Sequence, residues 1–158
     1  MVHVIINLRN WNNIQSLNIY LPLNMKLETD LDQLKIKLAE FFQEREEVLF
    51  AYIFGSLVTK SSNKFSDIDI AIFADMKKID NREYRYGYQA DVLTDLMNLL
   101  HTDKVDLVIL NYAPPLLKHR VIYYGELLYS ANEKERINFQ VDTINRYMDY
   151  KMLQRKFE

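Results

Sequence analysis

Two short blocks in this chain have the residue types and spacing to do chemistry. Gly55-Ser56 is followed, after ten intervening residues, by Asp67-Ile68-Asp69. Glycine lets the backbone turn sharply and lets a ligand come close. A serine at the start of a helical turn sits where backbone N–H groups are free to meet an anion. In a strand, side chains alternate between faces, so Asp67 and Asp69 point the same way while Ile68, Ile70 and Ile72 turn towards the core. Two carboxylates a few ångströms apart repel, and one takes up a proton unless a cation neutralises them. Magnesium suits such a place, because it prefers oxygen ligands and is held by one or two carboxylates together with substrate phosphates. An isolated Asp-x-Asp would read more simply as a charged edge strand that discourages aggregation. The glycine-serine turn before it and the apolar runs around both blocks favour the metal site.

The elements that must position these groups are two strands. Val48 to Phe54 is a continuous apolar run, as expected of a strand buried on both faces. Gly55 ends it. The second strand carries the carboxylates and continues through Ile70-Ala71-Ile72.

This spacing resembles the signature of the nucleotidyltransferase superfamily. Within it, the chain is similar to the minimal nucleotidyltransferase (MNT) antitoxins that accompany HEPN-type ribonuclease toxins. Val105-Asp106-Leu107-Val108-Ile109-Leu110-Asn111, then Ala113-Pro114-Pro115-Leu116-Leu117 and Arg120-Val121, strengthens the match, which runs from about Phe50 to Tyr129. The resemblance implies an α/β (α+β) nucleotidyltransferase fold, a mixed sheet covered by helices with a helix at the C-terminal end. It also implies a third carboxylate, Asp106, beside Asp67 and Asp69. All three would hold Mg²⁺, and Asp106 would accept the proton of the attacking hydroxyl. Gly55 and Ser56 would bind the triphosphate of ATP, and Ser66, directly before Asp67, is a further candidate there, although it could equally shape the turn. Lys60 departs from the pattern, standing where the family's turn usually has a second glycine.

Composition sets outer bounds. The 158 residues suffice for one domain, and three glycines and three prolines leave little material for flexible linkers. Twenty basic and twenty-two acidic residues give a net charge of −2, which argues against a general nucleic-acid surface. There are no cysteines, hence no disulfide scaffold, Cys-based zinc site or thiol nucleophile. No apolar run approaches the ~18 residues of a membrane span, and no basic region precedes the first apolar stretch. A cytoplasmic protein is expected.

Residues 1–24 fall outside the resemblance. Val4 to Leu8 and Leu17 to Leu21 read as a hairpin or accessory segment, with residues 25–158 as the minimal nucleotidyltransferase domain. A helix is expected from Thr29 or Asp30 to Glu44, with Leu31, Leu34, Ile36, Leu38, Phe41 and Phe42 recurring at helical spacing. A charged loop over 75–81 leads to a helix from about Arg82 to Leu100. Pro114-Pro115 begins another that Gly125 ends, with Tyr123 and Tyr124 half-buried. A short strand follows over 126–129. From Asn132 a terminal helix runs to about Phe157, its stripe of Ile137, Val141, Ile144, Met148 and Leu153 a candidate docking surface. His101 and His119 lack a second histidine at ligand spacing.

Three functions remain in play. The first is an antitoxin that transfers AMP from ATP to a tyrosine of its HEPN toxin, the acceptor being supplied by the resemblance. The second is a docking antitoxin with a weakened site, for which Lys60 speaks. The third is a small-molecule nucleotidyltransferase, which would usually need a further domain to hold the acceptor.

Overall fold

The computed structural model describes residues 23–59, 67–79 and 87–155, with side chains from residue 30 onward. In chain order the elements are α1 (Leu23–Gln43), β1 (Val48–Phe54), β2 (Ile68–Ala74), α2 (Tyr88–Leu100), β3 (Val105–Ile109), α3 (Pro115–Tyr124), β4 (Glu126–Ser130) and α4 (Glu133–Gln154). The chain divides into two compact units, 1–33 and 34–158. Of the first, the described part is the opening stretch of α1. The expected hairpin strands lie outside the described residues, and α1 starts at Leu23 rather than at Thr29 or Asp30.

The second unit is built on one mixed sheet of order β3-β2-β1-β4. β1 pairs antiparallel with both β2 and β4, while β2 and β3 run parallel. A parallel pair needs a crossover, and α2 supplies it. As its apolar run requires, β1 is central. Ala51 and Ile53 share one buried face with Ile70 and Ile72 of β2 and with Val105, Leu107 and Ile109 of β3. α2 packs on β3, where Gln89 Nε2 donates to the Leu107 carbonyl at 2.7 Å. On the other face Phe50, Tyr52 and Ala71 form a cluster with Val121 of α3 and Phe139 of α4. Phe50 stacks on Phe73 at 4.9 Å and meets Phe139 at 5.3 Å. Among the described residues, no helix is long and apolar enough to cross a membrane.

Several expectations need correction. Gly87 has φ +89°, which no right-handed helix contains, so α2 starts at Tyr88 and not at Arg82. Tyr88 is buried and its hydroxyl donates to Glu47 Oε1 at 3.1 Å. Ile36, placed on the packing stripe of α1, is exposed, whereas Leu38 and Phe42 are fully buried. Tyr123 and Tyr124 are exposed rather than half-buried, because only Val121 of α3 turns fully into the core.

Two small devices hold the ends of the sheet. Asn111 mimics a peptide unit: its Oδ1 accepts from Ala74 N–H at 3.0 Å and its Nδ2 donates to Ala74 carbonyl at 2.9 Å. This pins the far end of β2 to the residues after β3. At the near end, Gly125 lets α3 close onto β1. A Cβ on it would overlap the Val121 carbonyl and lie 3.1 Å from the Ile53 carbonyl. Neither backbone oxygen can move without breaking α3 or the sheet. Gly125→Ala should therefore lower stability by about 1–3 kcal/mol in urea unfolding, with the midpoint moving and the slope unchanged.

Candidate active site

The site lies where β1 ends and β2, β3 and β4 begin. Register decides which side chains meet there. Phe54 lies opposite Asp69 on the β1 side, and Asp69 lies opposite Asp106 on the β3 side. Paired residues share a face and their strands run about 5 Å apart. Asp69 and Asp106 thus stand side by side. Asp67, two residues before Asp69 and just outside the strand, shares its side of the chain and is exposed. The Ile68 N–H donates to the Lys104 carbonyl at 2.9 Å, which locks this register at the edge of the site. The carboxylates lie on the sheet face that α3 and α4 cover further along, through Ala71 and Phe73.

Gly55 closes the site from β1. Its φ of +78° is left-handed, and a Cβ there would overlap Asp69 Oδ2 and come within 2.8 Å of Asp69 Cγ. The carboxylate of Asp69 therefore rests on the bare Cα of Gly55. The chain then makes a tight turn, closed by Thr59, whose N–H and Oγ1 each donate to the Gly55 carbonyl at 3.2 Å. Ser56 is half-buried inside this turn. Thr59 escaped the sequence reading, since only the fold of the turn shows its hydroxyl folding back.

Burial raises the pKa of Asp69, and the neighbouring charges of Asp106 and then Asp67 raise it further. Among the described residues, none of the three carboxylates is in an ion pair. Negative charge is thus gathered with no ion-paired cation beside it among the described residues. Yet no three His, Cys, Asp or Glu side chains among the described residues are set closely enough to hold a metal ion by themselves. Five of the six residues expected to form the site are therefore brought to one end of the sheet: Gly55, Ser56, Asp67, Asp69 and Asp106. Ser66, Lys60 and Lys64 lie outside the described residues. Arg120, part of the second block, is exposed and without an ion pair among the described residues. His119 stacks on Tyr147 at 3.7 Å between ring centroids.

A family described as Polymerase beta, Nucleotidyltransferase matches residues 36–134. The chain belongs to this nucleotidyltransferase family. The match spans all four strands and both site blocks, so the superfamily resemblance drawn from Gly55-Ser56 and Asp67-x-Asp69 is borne out. Among curated proteins, none matches the sequence. Among solved structures, the nucleotidyltransferase is similar to a chain of a toxin–antitoxin crystal structure with AMP-PNP. That pair is 26% identical with a TM-score of 0.63, covering 78% of this chain and 94% of the other. It is also similar to a chain of the toxin–antitoxin MntA–HepT, 25% identical with a TM-score of 0.54, covering 84% and 94%. The likeness to MNT antitoxins thus holds over nearly the whole length of those chains.

Proposed function

We propose that this nucleotidyltransferase is an antitoxin that transfers AMP from ATP to a tyrosine hydroxyl of a cognate HEPN toxin. The observation that carries the reading is the convergence of Asp67, Asp69 and Asp106 on one face of paired strands, against the Gly55 turn. The similar toxin–antitoxin chain with AMP-PNP supports an adenine nucleotide, and the MntA–HepT likeness supports the partner.

The site's chemistry follows from its charge. Asp67, Asp69 and Asp106 would hold Mg²⁺, which supplies neutralisation of phosphate charge at the site. An open, incomplete set of carboxylates fits an ion that shares its shell with water and phosphate oxygens. Gly55 and Ser56 would meet the triphosphate with backbone N–H groups and a hydroxyl. The tyrosine oxygen then forms a bond to the α-phosphorus, and the bond from that phosphorus to the bridging oxygen breaks. Pyrophosphate leaves with the electron pair, and the hydroxyl proton passes to Asp106. A tyrosine with an ordinary pKa near ~10 needs such a base beside it.

The test is intact-mass spectrometry of the toxin after incubation with this chain, ATP and Mg²⁺. Steps of one or more AMP units are expected, absent with Asp67→Ala/Asp69→Ala. Toxin that gains no mass yet is neutralised by both forms would instead favour docking on an inherited enzyme fold.

A further inference from the structure

Among the described residues, α4 meets the rest of its unit along one side. Phe139 packs on Phe50 and Phe73, Gln140 Nε2 donates to Tyr52 Oη at 3.1 Å, Thr143 is buried, and Tyr147 stacks on His119. A different row runs roughly a third of the way round the helix. Lys134, Ile137, Val141, Ile144, Met148, Lys151 and Arg155 follow one another at spacings of three and four in strict alternation. This is the repeat by which two helices pack knobs into holes. Its four central apolar residues are 50%, 54%, 43% and 51% exposed. Of the positions beside the row, Asn138, Gln140 and Asn145 are uncharged amides, with Glu133, Tyr147 and Met152 also on its flanks.

We propose that this seam docks an amphipathic helix of the protein on which the nucleotidyltransferase acts, one whose apolar row is bracketed by acidic side chains. The partner's role rests on the reading above; the docking surface rests on the seam itself. Charge selects the occupant. Lys151 and Arg155 make the C-terminal end of the row basic, while Lys134 at the other end stands between Glu133 and Glu135, and none of the three cations is in an ion pair among the described residues. A second copy fits poorly. In parallel pairing each of these cations faces its own counterpart, and in antiparallel pairing about the centre of the row Lys134 faces Arg155. An acidic partner meets neither problem.

Area points the same way. The four apolar side chains expose on the order of 400 Å² together, the size of a functional patch but about half of the ~800 Å² each partner contributes to a standard interface. The remainder has an obvious source. α4 starts beside Leu49, where the Ala131 N–H donates to the Leu49 carbonyl, and reaches Tyr52 by Gln140. It therefore runs towards the end of the sheet that carries Asp69 and Asp106. A helix lying on the seam is led to the carboxylates, and contacts there complete the interface.

The experiment measures the affinity of the full chain for its separately purified HEPN toxin by calorimetry. Val141→Glu/Ile144→Glu should weaken binding by roughly 30-fold or more, and Lys134→Glu/Lys151→Glu/Arg155→Glu by about 10-fold. Melting midpoints should stay near wild type, since all five side chains are exposed. Seam variants that bind with unchanged affinity overturn the proposal. So does a chain that sediments alone as a dimer split by Val141→Glu/Ile144→Glu, which would make a second copy the occupant. Seam-dependent binding without any AMP transfer sinks the enzymatic reading and leaves the seam standing. A wild-type chain that does not bind the toxin removes both.

Discussion

Changing Asp69 to asparagine should abolish nucleotidyl transfer and yet leave the unliganded domain more stable than wild type. The transfer rate should fall by at least ~10³-fold, the scale on which loss of one preorganised charge contact is felt. Stability moves the other way because the carboxylate is held at a cost. Its pKa is raised by burial, by Asp106 and by Asp67. The folded chain therefore holds this proton to higher pH than the unfolded chain does. Stability falls as pH rises from the ordinary carboxylate pKa of ~3.9 through the raised value, and above that the cost is constant. Asparagine carries no charge and removes that dependence. Thermal melts of both forms from pH 4 to 8 check this: the gap should widen with pH and then level off. Added Mg²⁺ and ATP should stabilise wild type and leave the variant unmoved.

Gly55→Ala has the second-largest expected effect, and it strikes stability and activity together. A left-handed φ costs an alanine about 1–2 kcal/mol. The new methyl also takes the place of the Asp69 carboxylate, which must swing away. The combined loss should be about 2–3 kcal/mol, a drop of several degrees in melting temperature for a domain of this size. Transfer should fall by about 10²-fold or more, because a displacement of about 1 Å in a reacting group is enough for that. Ser56→Ala is the contrast. It leaves φ and the carboxylate alone, so its melting temperature should match wild type.

Local pattern made much of this legible. The unbroken apolar run of β1, the alternation in β2, proline at the first turn of α3 and glycine after its last all act within a few residues, and each element stands where they put it. What pattern could not supply was contact between distant residues. That Asp69 rests on Gly55 depends on the β1–β2 register. That Asp106 stands beside Asp69 depends on a parallel pairing across the whole stretch from 75 to 104, and only the family resemblance brought it forward. α4 shows a different difficulty. It has two apolar rows, and the more regular one through Ile137 and Val141 is the row that faces solvent. Phe139, a single large ring, decides which side is buried. The onset of α2 departs from the expected Arg82 because Gly87 takes φ +89°, a turn that apolar periodicity does not encode.

The topology also sets the order in which the site comes together. β1 and β2 are neighbours in sequence and antiparallel, so they can pair early. β3 must wait for a crossover, and closing a longer loop for a parallel strand is slow. Asp69 thus finds its place on Gly55 before Asp106 arrives, and their mutual repulsion is first felt as β3 joins. A penalty that enters in the slow step acts on the forward reaction. Wild type should then fold more slowly than Asp106→Asn and unfold at about the same rate. The charge that equips this sheet to handle a nucleotide delays the formation of the folded chain and leaves its lifetime nearly as it was.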